Sequence, residues 1–247
     1  NITVIDGATN AITTLTVGTQ PRAVAINPVT NKIYVANQGS DTVTVIDGAT
    51  NALTTLTLVP GSNPNAVAIN PVTNKIYVAA SGSGNVTVID GATNALTTLA
   101  NGTDPFAVAI NPVTNKIYVV NQFGGNVTVI DGATNAITTL TAGSFPRAVA
   151  INPVTNKIYV TNRFSNNITV IDGATNALTT LDLGTGPFAV AINPVTNKIY
   201  VANSNSTVTV IDGATNALTT LAVGFGPQAV AINPVTNKIY VANTSGS

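Results

Sequence analysis

The sequence predicts an all-β protein, a six-bladed β-propeller with four antiparallel strands in each blade, and three observations lead to that prediction. The thirteen residues AVAINPVTNKIYV occur six times, first at 23–35 and last at 229–241. A second phrase, TVIDGATNA, also occurs six times, from 3–11 to 209–217. Each repeat contains four short runs rich in β-branched residues, and repeats of about 40–45 residues with four strands are typical of propeller blades.

The spacing of the repeats is set by one aspartate in each copy of the second phrase. Successive copies are 41, 43, 41, 41 and 40 residues apart, at Asp6, Asp47, Asp90, Asp131, Asp172 and Asp212. The distance from the last aspartate through the C-terminus and on from the N-terminus to the first is again one repeat length. The chain therefore amounts to a whole number of repeats, and we expect a single domain over residues 1–247.

The four runs of a repeat are predicted to be strands, named A to D in chain order: Ala-Val-Ala-Ile, Ile-Tyr-Val, Val-Thr-Val-Ile and Leu-Thr-Thr-Leu. Strands A and B are apolar on successive residues, which predicts sheets that are covered on both faces by neighbouring blades. The chain begins at strand C and ends after strand B. We therefore expect strands C and D of residues 2–17 to pair with strands A and B of residues 228–242 and to close the sixth blade.

Composition excludes several classes of function. Nine basic and nine acidic residues cancel, and only 7% of residues are charged, so nucleic acid and anionic membranes are poor partners. Membrane insertion is not expected, because no apolar run approaches the roughly 20 residues of a spanning helix. The chain contains no Cys, His, Met, Trp or Glu, which removes the usual nucleophiles, bases and soft metal ligands. We therefore expect no catalytic residues, no metal, no cofactor and no enzyme activity.

The recurring polar motifs are interpreted as structural. The sequence Asp-Gly-Ala-Thr-Asn could supply oxygen ligands to calcium, but one carboxylate per loop is few, and a hairpin turn between strands C and D is favoured. The Asn-Pro steps, such as Asn27, could form a ring of amides, but turn initiation is favoured. Lys32 and Asp47 are predicted to be cross-strand neighbours.

All loops that vary in sequence between repeats lie at one end of the predicted strands, which we call the variable-loop face. It comprises the B–C loops (38–41, 81–84, 122–125, 163–166, 204–206) and the D–A connections (16–22, 57–65, 100–106, 141–147, 182–188, 222–228). Every Phe and Arg of the chain falls in these segments, and these residue types often dominate binding interfaces. The candidate ligand-binding residues are Arg22, Phe106, Phe123, Phe145, Arg147, Arg163, Phe164 and Phe188. Neutral drift in tolerant loops is the competing interpretation.

The sequence Ile158-Tyr159-Val160-Thr161-Asn162, followed by Val170-Ile171-Asp172, resembles the YVTN family of β-propeller repeats. The resemblance extends over the whole chain, although the other blades carry Ala or Val in place of Thr161. It implies an extracellular or cell-surface protein of a bacterium or archaeon, without catalytic residues to carry over.

Two functions are consistent with these observations. One is a non-catalytic binding or interaction module that takes an unknown protein, peptide or glycan on the variable-loop face, expected to be a monomer. The alternative is a structural or self-assembling surface component, or a designed, symmetrised scaffold without a natural ligand.

Overall fold

A computed structural model describes residues 1–245 as an all-β chain whose only helix is one short 3-10 turn, Gln38–Ser40. The chain divides into two compact units, Asn1–Val108 and Ala109–Ser247. Within residues 1–245, no helix has the length and apolar character needed to cross a membrane.

Unit one contains a two-stranded sheet, β1-β2, and two four-stranded sheets, β3-β4-β5-β6 and β7-β8-β9-β10. The two four-stranded sheets are antiparallel throughout and follow the A-B-C-D order of the repeat. The strands are β1 Ile2–Ile5, β2 Ile12–Leu15, β3 Pro21–Asn27, β4 Lys32–Asn37, β5 Thr42–Asp47, β6 Leu53–Thr57, β7 Pro64–Asn70, β8 Lys75–Ala80, β9 Asn85–Asp90 and β10 Leu96–Ala100.

The chain passes from unit one to unit two within β11, Pro105–Asn111, which begins the sheet β11-β12-β13-β14. Unit two continues with the sheets β15-β16-β17-β18, β19-β20-β21-β22 and the two-stranded β23-β24. Its strands are β12 Lys116–Asn121, β13 Asn126–Asp131, β14 Ile137–Thr141, β15 Pro146–Asn152, β16 Lys157–Asn162, β17 Asn167–Asp172, β18 Leu178–Asp182, β19 Pro187–Asn193, β20 Lys198–Asn203, β21 Thr207–Asp212, β22 Leu218–Ala222, β23 Phe225–Asn233 and β24 Lys238–Ser245.

The predicted repeat of four antiparallel strands is confirmed, and the 24 strands of residues 1–245 fit six blades of four. Strand A is longer than predicted, because it starts at the proline of the D–A connection and runs to the asparagine before the A–B turn. The half-blades β1-β2 and β23-β24 are each two-stranded sheets. Their pairing into a closed blade stays a prediction, as does the single domain.

The hydrophobic core of each unit lies between consecutive sheets. In unit one, Tyr34 and Val43 pack with Ile76, Val78 and Ile89 of the next sheet. In unit two the corresponding cluster is Tyr159, Ile168 and Val170 with Ile199, Val201 and Ile211. Packing of one sheet on the next therefore supplies the core, as the apolar runs predicted.

The most deeply buried strands are B and C rather than A and B. Tyr77 and Val78 of β8 and Ile89 of β9 have no exposed surface, whereas the interior of β7 is only partly buried. Strand A has a hydrogen-bonded neighbour on one side only, which leaves its other edge open. Strand C is buried although its sequence contains Thr, because Asn37 donates to the Oγ1 of Thr44 at 2.9 Å and a hydrogen-bonded polar group can be buried at little cost.

The C–D turns have the predicted local hydrogen bonds. Asp47 Oδ1 accepts bonds from the N–H of Ala49 at 3.0 Å, the N–H of Thr50 at 2.8 Å and the hydroxyl of Thr50 at 2.9 Å. These bonds, the Thr50 hydroxyl first, hold the pKa of Asp47 below its ordinary value. The turn residue Asn51 has a left-handed backbone, a conformation that Asn tolerates better than most residues.

The A–B turns connect neighbouring sheets, which the sequence did not predict. Asn27 initiates its turn as expected, by accepting a bond from the N–H of Val29 at 3.0 Å. Its Nδ2 also donates to Asn74 Oδ1 of the next sheet at 2.7 Å. Lys32 is the cross-strand partner of Asp47, as predicted, but its ammonium donates to the carbonyl oxygen of Gly91 in the next sheet.

Candidate ligand-binding site

Three connections of unit two bring aromatic rings together. The B–C loop after β12 carries Phe123, the D–A connection before β15 carries Phe145, and the B–C loop after β16 carries Phe164. The rings of Phe123 and Phe145 meet edge to face with centroids 5.5 Å apart. The rings of Phe145 and Phe164 are stacked, with centroids 4.3 Å apart and planes 20° from parallel.

Two arginines continue this row of rings. The guanidinium carbon of Arg147 lies 3.9 Å from the ring centroid of Phe188. The guanidinium of Arg163 lies 5.4 Å from Phe188 and 5.6 Å from Phe164, within the range of a cation–π interaction. These six side chains form one continuous group, which we call the Phe/Arg cluster: Phe123, Phe145, Arg147, Arg163, Phe164 and Phe188.

The backbone under the cluster is held in an unusual conformation. Phe145 has a φ of +57°, which is rare for a bulky residue because its Cβ crowds the backbone. Two hydrogen bonds fix it: Arg163 N–H donates to the carbonyl oxygen of Phe145 at 3.0 Å, and Phe164 N–H donates to that of Ser144 at 3.1 Å. The strained connection and the loop that carries Arg163 and Phe164 are therefore locked together.

Close packing beside Phe145 supports the same arrangement. A Cβ placed on Gly143 would lie 2.8 Å from the Cβ of Asn162, so this position requires glycine. Ser144 N–H also donates to Ser165 Oγ at 3.0 Å. The two loops consequently meet as a rigid pair.

An open cavity of about 330 Å³ lies against the rings, and its lining includes Gln122, Ser144 and three rings of the cluster, Phe123, Phe145 and Phe164. Phe123 is 70% exposed and Phe164 is 63% exposed. Gln122 is only 6% exposed, and its buried Nε2 has no hydrogen-bond partner among residues 1–245. The cavity thus combines a large exposed aromatic surface with a buried donor.

The remaining candidate residues lie in unit one. Arg22 Nε donates to Asn65 Oδ1 at 3.1 Å, and Asn65 Nδ2 donates to the carbonyl oxygen of Phe106 at 3.3 Å. These contacts join the first residues after the proline in three successive A strands. Six of the eight candidates therefore belong to the Phe/Arg cluster, and the other two belong to this polar chain.

Sequence reasoning did not identify Gln122 or Ser144. Gln122 begins a loop that otherwise consists of Phe and Gly. A long polar side chain in such a short loop is the feature that could have marked it as a candidate. Ser144 carries no signal, because four other repeats hold Ser or Thr at the equivalent position. Within residues 1–245 no three His, Cys, Asp or Glu side chains group in a way that suggests a metal site.

The chain matches no protein-family model and no curated protein sequence. Solved structures with a similar fold include virginiamycin B lyase from Staphylococcus aureus, at 13% identity, with a TM-score of 0.76 over 93% of this chain and 86% of the lyase. A streptogramin B lyase structure has 12% identity and a TM-score of 0.75 over 93% of this chain and 85% of that one. Hydrazine synthase of Kuenenia stuttgartiensis has 22% identity and a TM-score of 0.74 over 98% and 89%.

These likenesses support the β-propeller fold and correct one expectation from the sequence. The prediction from composition that the chain is not an enzyme is wrong, because proteins of the same fold are lyases and a fold does not fix activity. A histidine-to-alanine variant of the Staphylococcus aureus lyase is catalytically inactive. The present chain contains no histidine, so that side chain has no equivalent here.

Proposed function

We propose that this protein is a ligand-binding module and that its ligand docks on the Phe/Arg cluster of unit two. The observation that carries the proposal is Phe145, a bulky aromatic residue with a φ of +57° whose ring stacks on the mostly exposed Phe164. Strain of this kind costs about 1–3 kcal/mol and collects at functional sites.

The fold itself does not require an aromatic residue at this position. The equivalent positions before the A-strand proline hold Gln20, Asn63, Asp104 and Gly226, also at positive φ, and Gly186. Asn, Asp and Gly adopt this conformation with less strain than Phe. The ring of Phe145 is therefore better explained by what it contacts than by what the turn needs.

The partner that we propose is a protein, peptide or glycan, met outside the cell or at the surface of a bacterium or archaeon. This context rests on the resemblance to YVTN repeats. The near absence of net charge argues against nucleic acid as the partner.

The binding proposal can be tested by nuclear magnetic resonance with a library of peptides and oligosaccharides. We expect shifts at Gln122, Phe123 and Phe164 on adding a ligand. Combined replacement of Phe145, Arg147 and Phe164 by Ala should weaken binding by about 2 kcal/mol or more. Thr155→Ala, in the invariant A–B turn of the same unit, is the matched control and should leave affinity unchanged. Equal losses in both variants would contradict the proposal.

We further propose that the half-blades β1-β2 and β23-β24 complete one blade through β1 and β24. Apolar residues of these half-blades lack the cover that equivalent residues have: Ile5 is 62% exposed against 2% for Ile46, and Tyr240 is 58% exposed against 0% for Tyr34. The alternative function, a self-assembling surface component, would bury the same strands against a second copy.

Deletion of residues 1–17 tests this closure. Loss of β1 and β2 should leave β24 unpaired, and an unpaired apolar edge favours aggregation. We expect a lower melting temperature or association detectable by sedimentation. A deletion variant that stays monomeric and melts at the original temperature would contradict closure, and concentration-dependent oligomers of the intact chain would favour the assembly alternative.

A further inference from the structure

We infer that the Phe/Arg cluster binds a carboxylate attached to a flat apolar ring, the chemistry of a small aromatic acid or of an aromatic residue at a peptide C-terminus. This inference rests on the proposed binding function and names its ligand class. Three features of the site carry it: the ring surface, the charge and the buried amide donor.

The ring surface selects a flat apolar group. Phe145 and Phe164 are stacked on each other at 4.3 Å, so those facing surfaces are occupied. Phe123 and Phe164 nevertheless remain 70% and 63% exposed, and both line the cavity. An aromatic ring of the ligand can meet them stacked with an offset or edge to face, the two arrangements that aromatic pairs favour.

The charge of the site selects an anion. The Arg163 guanidinium lies 5.6 Å from the ring of Phe164, which lines the cavity, and 5.4 Å from the ring of Phe188. The cavity lining itself contains no carboxylate. A guanidinium that stacks on a ring keeps its N–H edge in the plane, where it can bind both oxygens of a carboxylate. Arg147 adds a second positive charge, held 3.9 Å from Phe188.

The buried amide selects an oxygen acceptor. Gln122 lines the cavity, and a buried N–H group without a partner is unfavourable. A carboxylate oxygen would satisfy it. A neutral sugar hydroxyl could satisfy the amide alone. The cavity of about 330 Å³ suits one ring with its carboxylate rather than a long chain.

The test compares N-acetylphenylalanine with its uncharged amide by calorimetric titration of the whole chain. We expect the acid to bind at least tenfold more tightly. Arg163→Gln should reduce the affinity for the acid about tenfold and change that for the amide less than twofold, and Arg163→Lys should fall between. Gln122→Leu should weaken both. Lys198→Gln, at the start of β20, removes a positive charge outside the Phe/Arg cluster; it is the control and should change neither.

A second pair of probes separates the two sources of the ligand. Tighter binding of Gly-Gly-Phe than of phenylacetate identifies a peptide C-terminus, and equal or weaker binding identifies a small aromatic acid. Equal affinity for N-acetylphenylalanine and its amide would overturn the inference. If the amide or a neutral disaccharide alone shifts the resonances of Gln122, Phe123 and Phe164, the ligand class is wrong and the binding function stands. If no probe or library member shifts these resonances, the proposed ligand class and the proposed binding function are both wrong.

Discussion

Phe145 adopts a backbone conformation that its own side chain disfavours. Its effect on the stability of the protein and its proposed role in ligand binding can be separated by substitution. In Phe145→Asn the new residue tolerates the φ of +57°, as Asn63 does at φ +45° in the equivalent position. Relief of strain is worth about 1–3 kcal/mol, and the lost ring contacts are worth about 0.5–1.5 kcal/mol each. Phe145 makes two such contacts, so the two effects nearly cancel, and we expect the free energy of unfolding to change by no more than about 1 kcal/mol, measured by urea denaturation.

The matched comparison is Phe164→Ala, which removes ring contacts without relieving strain and should lower the free energy of unfolding. Both variants should bind the cluster's ligand more weakly. A Phe145→Asn variant that is clearly less stable than the original protein would show that the stack, rather than the ligand, explains the residue.

For single residues, the sequence indicates which residue types occupy the loops but not which side chains they contact. Six of the eight candidates lie in the Phe/Arg cluster because B–C loops and D–A connections leave an antiparallel sheet at the same end of its strands. The left-handed φ of Phe145 was not predicted, since nothing in the letters Ser-Phe-Pro separates a strained phenylalanine from a relaxed one. The buried amide of Gln122 was missed for a related reason, because burial of a loop residue depends on the neighbouring loop.

The A–B turns matter to stability because they connect sheets. Asn152 has no exposed surface, accepts a bond from the N–H of Val154 at 3.0 Å and donates to Asn197 in the next sheet at 2.7 Å. Replacing it by Ala removes both bonds, and the partly buried Asn197 loses its partner from the neighbouring sheet. We expect Asn152→Ala to lower the free energy of unfolding by about 2–3 kcal/mol, measured by chemical denaturation.

Asn233 provides a control within the same unit. It makes the equivalent turn bonds, to the N–H of Val235 at 3.0 Å and of Thr236 at 3.2 Å, but it is only partly buried. Asn233→Ala should therefore cost no more than about 1 kcal/mol. Equal effects of the two substitutions would mean that the bond between sheets contributes little.

The strands and turns were predictable because their signals are local. β-branched runs bounded by Asp-Gly and Asn-Pro fix the strands to within a few residues, and the register that places Lys32 opposite Asp47 follows from the turn lengths. The bonds from Asn27 to Asn74 and from Lys32 to Gly91 were not predictable in the same way. They depend on how one sheet packs against the next, and no pattern within a single repeat encodes that contact.

For the whole molecule, the count of repeats predicted the propeller, whereas composition misled the functional prediction. The absence of His, Cys and Glu predicts no catalysis, yet lyases use this fold at 12–13% identity. Fold follows from patterns that run through all six repeats. Activity follows from a few side chains in the loops, which those patterns do not constrain.

Titrating groups of two kinds should bound the pH range in which the protein is stable. In acid, the turn aspartates have pKa values below their ordinary value of 3.8, as for Asp47, where the Thr50 hydroxyl and N–H are the main cause. A depressed pKa contributes stability above the unfolded value, and this is lost as the pH falls through the folded one. Asp104 opposes this trend weakly, because burial raises its pKa.

In alkali the pKa values are shifted in the opposite direction, and stability is lost as the pH rises. Burial raises the pKa of Tyr118 and of Tyr159 to about 12, from an ordinary value of 10.0. The unfolded chain then loses these protons first, so the stability that the neutral phenols contribute is complete below pH 10 and is lost as the pH rises toward 12. We expect the urea midpoint to be flat between pH 5 and about 9 and to fall steeply between about 10 and 12.

Tyr159→Phe is the variant that tests this assignment. Its hydroxyl is buried without a hydrogen-bond partner among residues 1–245, so removing it should leave stability at pH 7 unchanged or slightly higher. The variant should also lose part of the alkaline decline, because one of the two phenols with a pKa of about 12 no longer titrates. If the urea midpoint of Tyr159→Phe falls with pH as steeply as that of the original protein, groups other than Tyr159 govern unfolding in alkali.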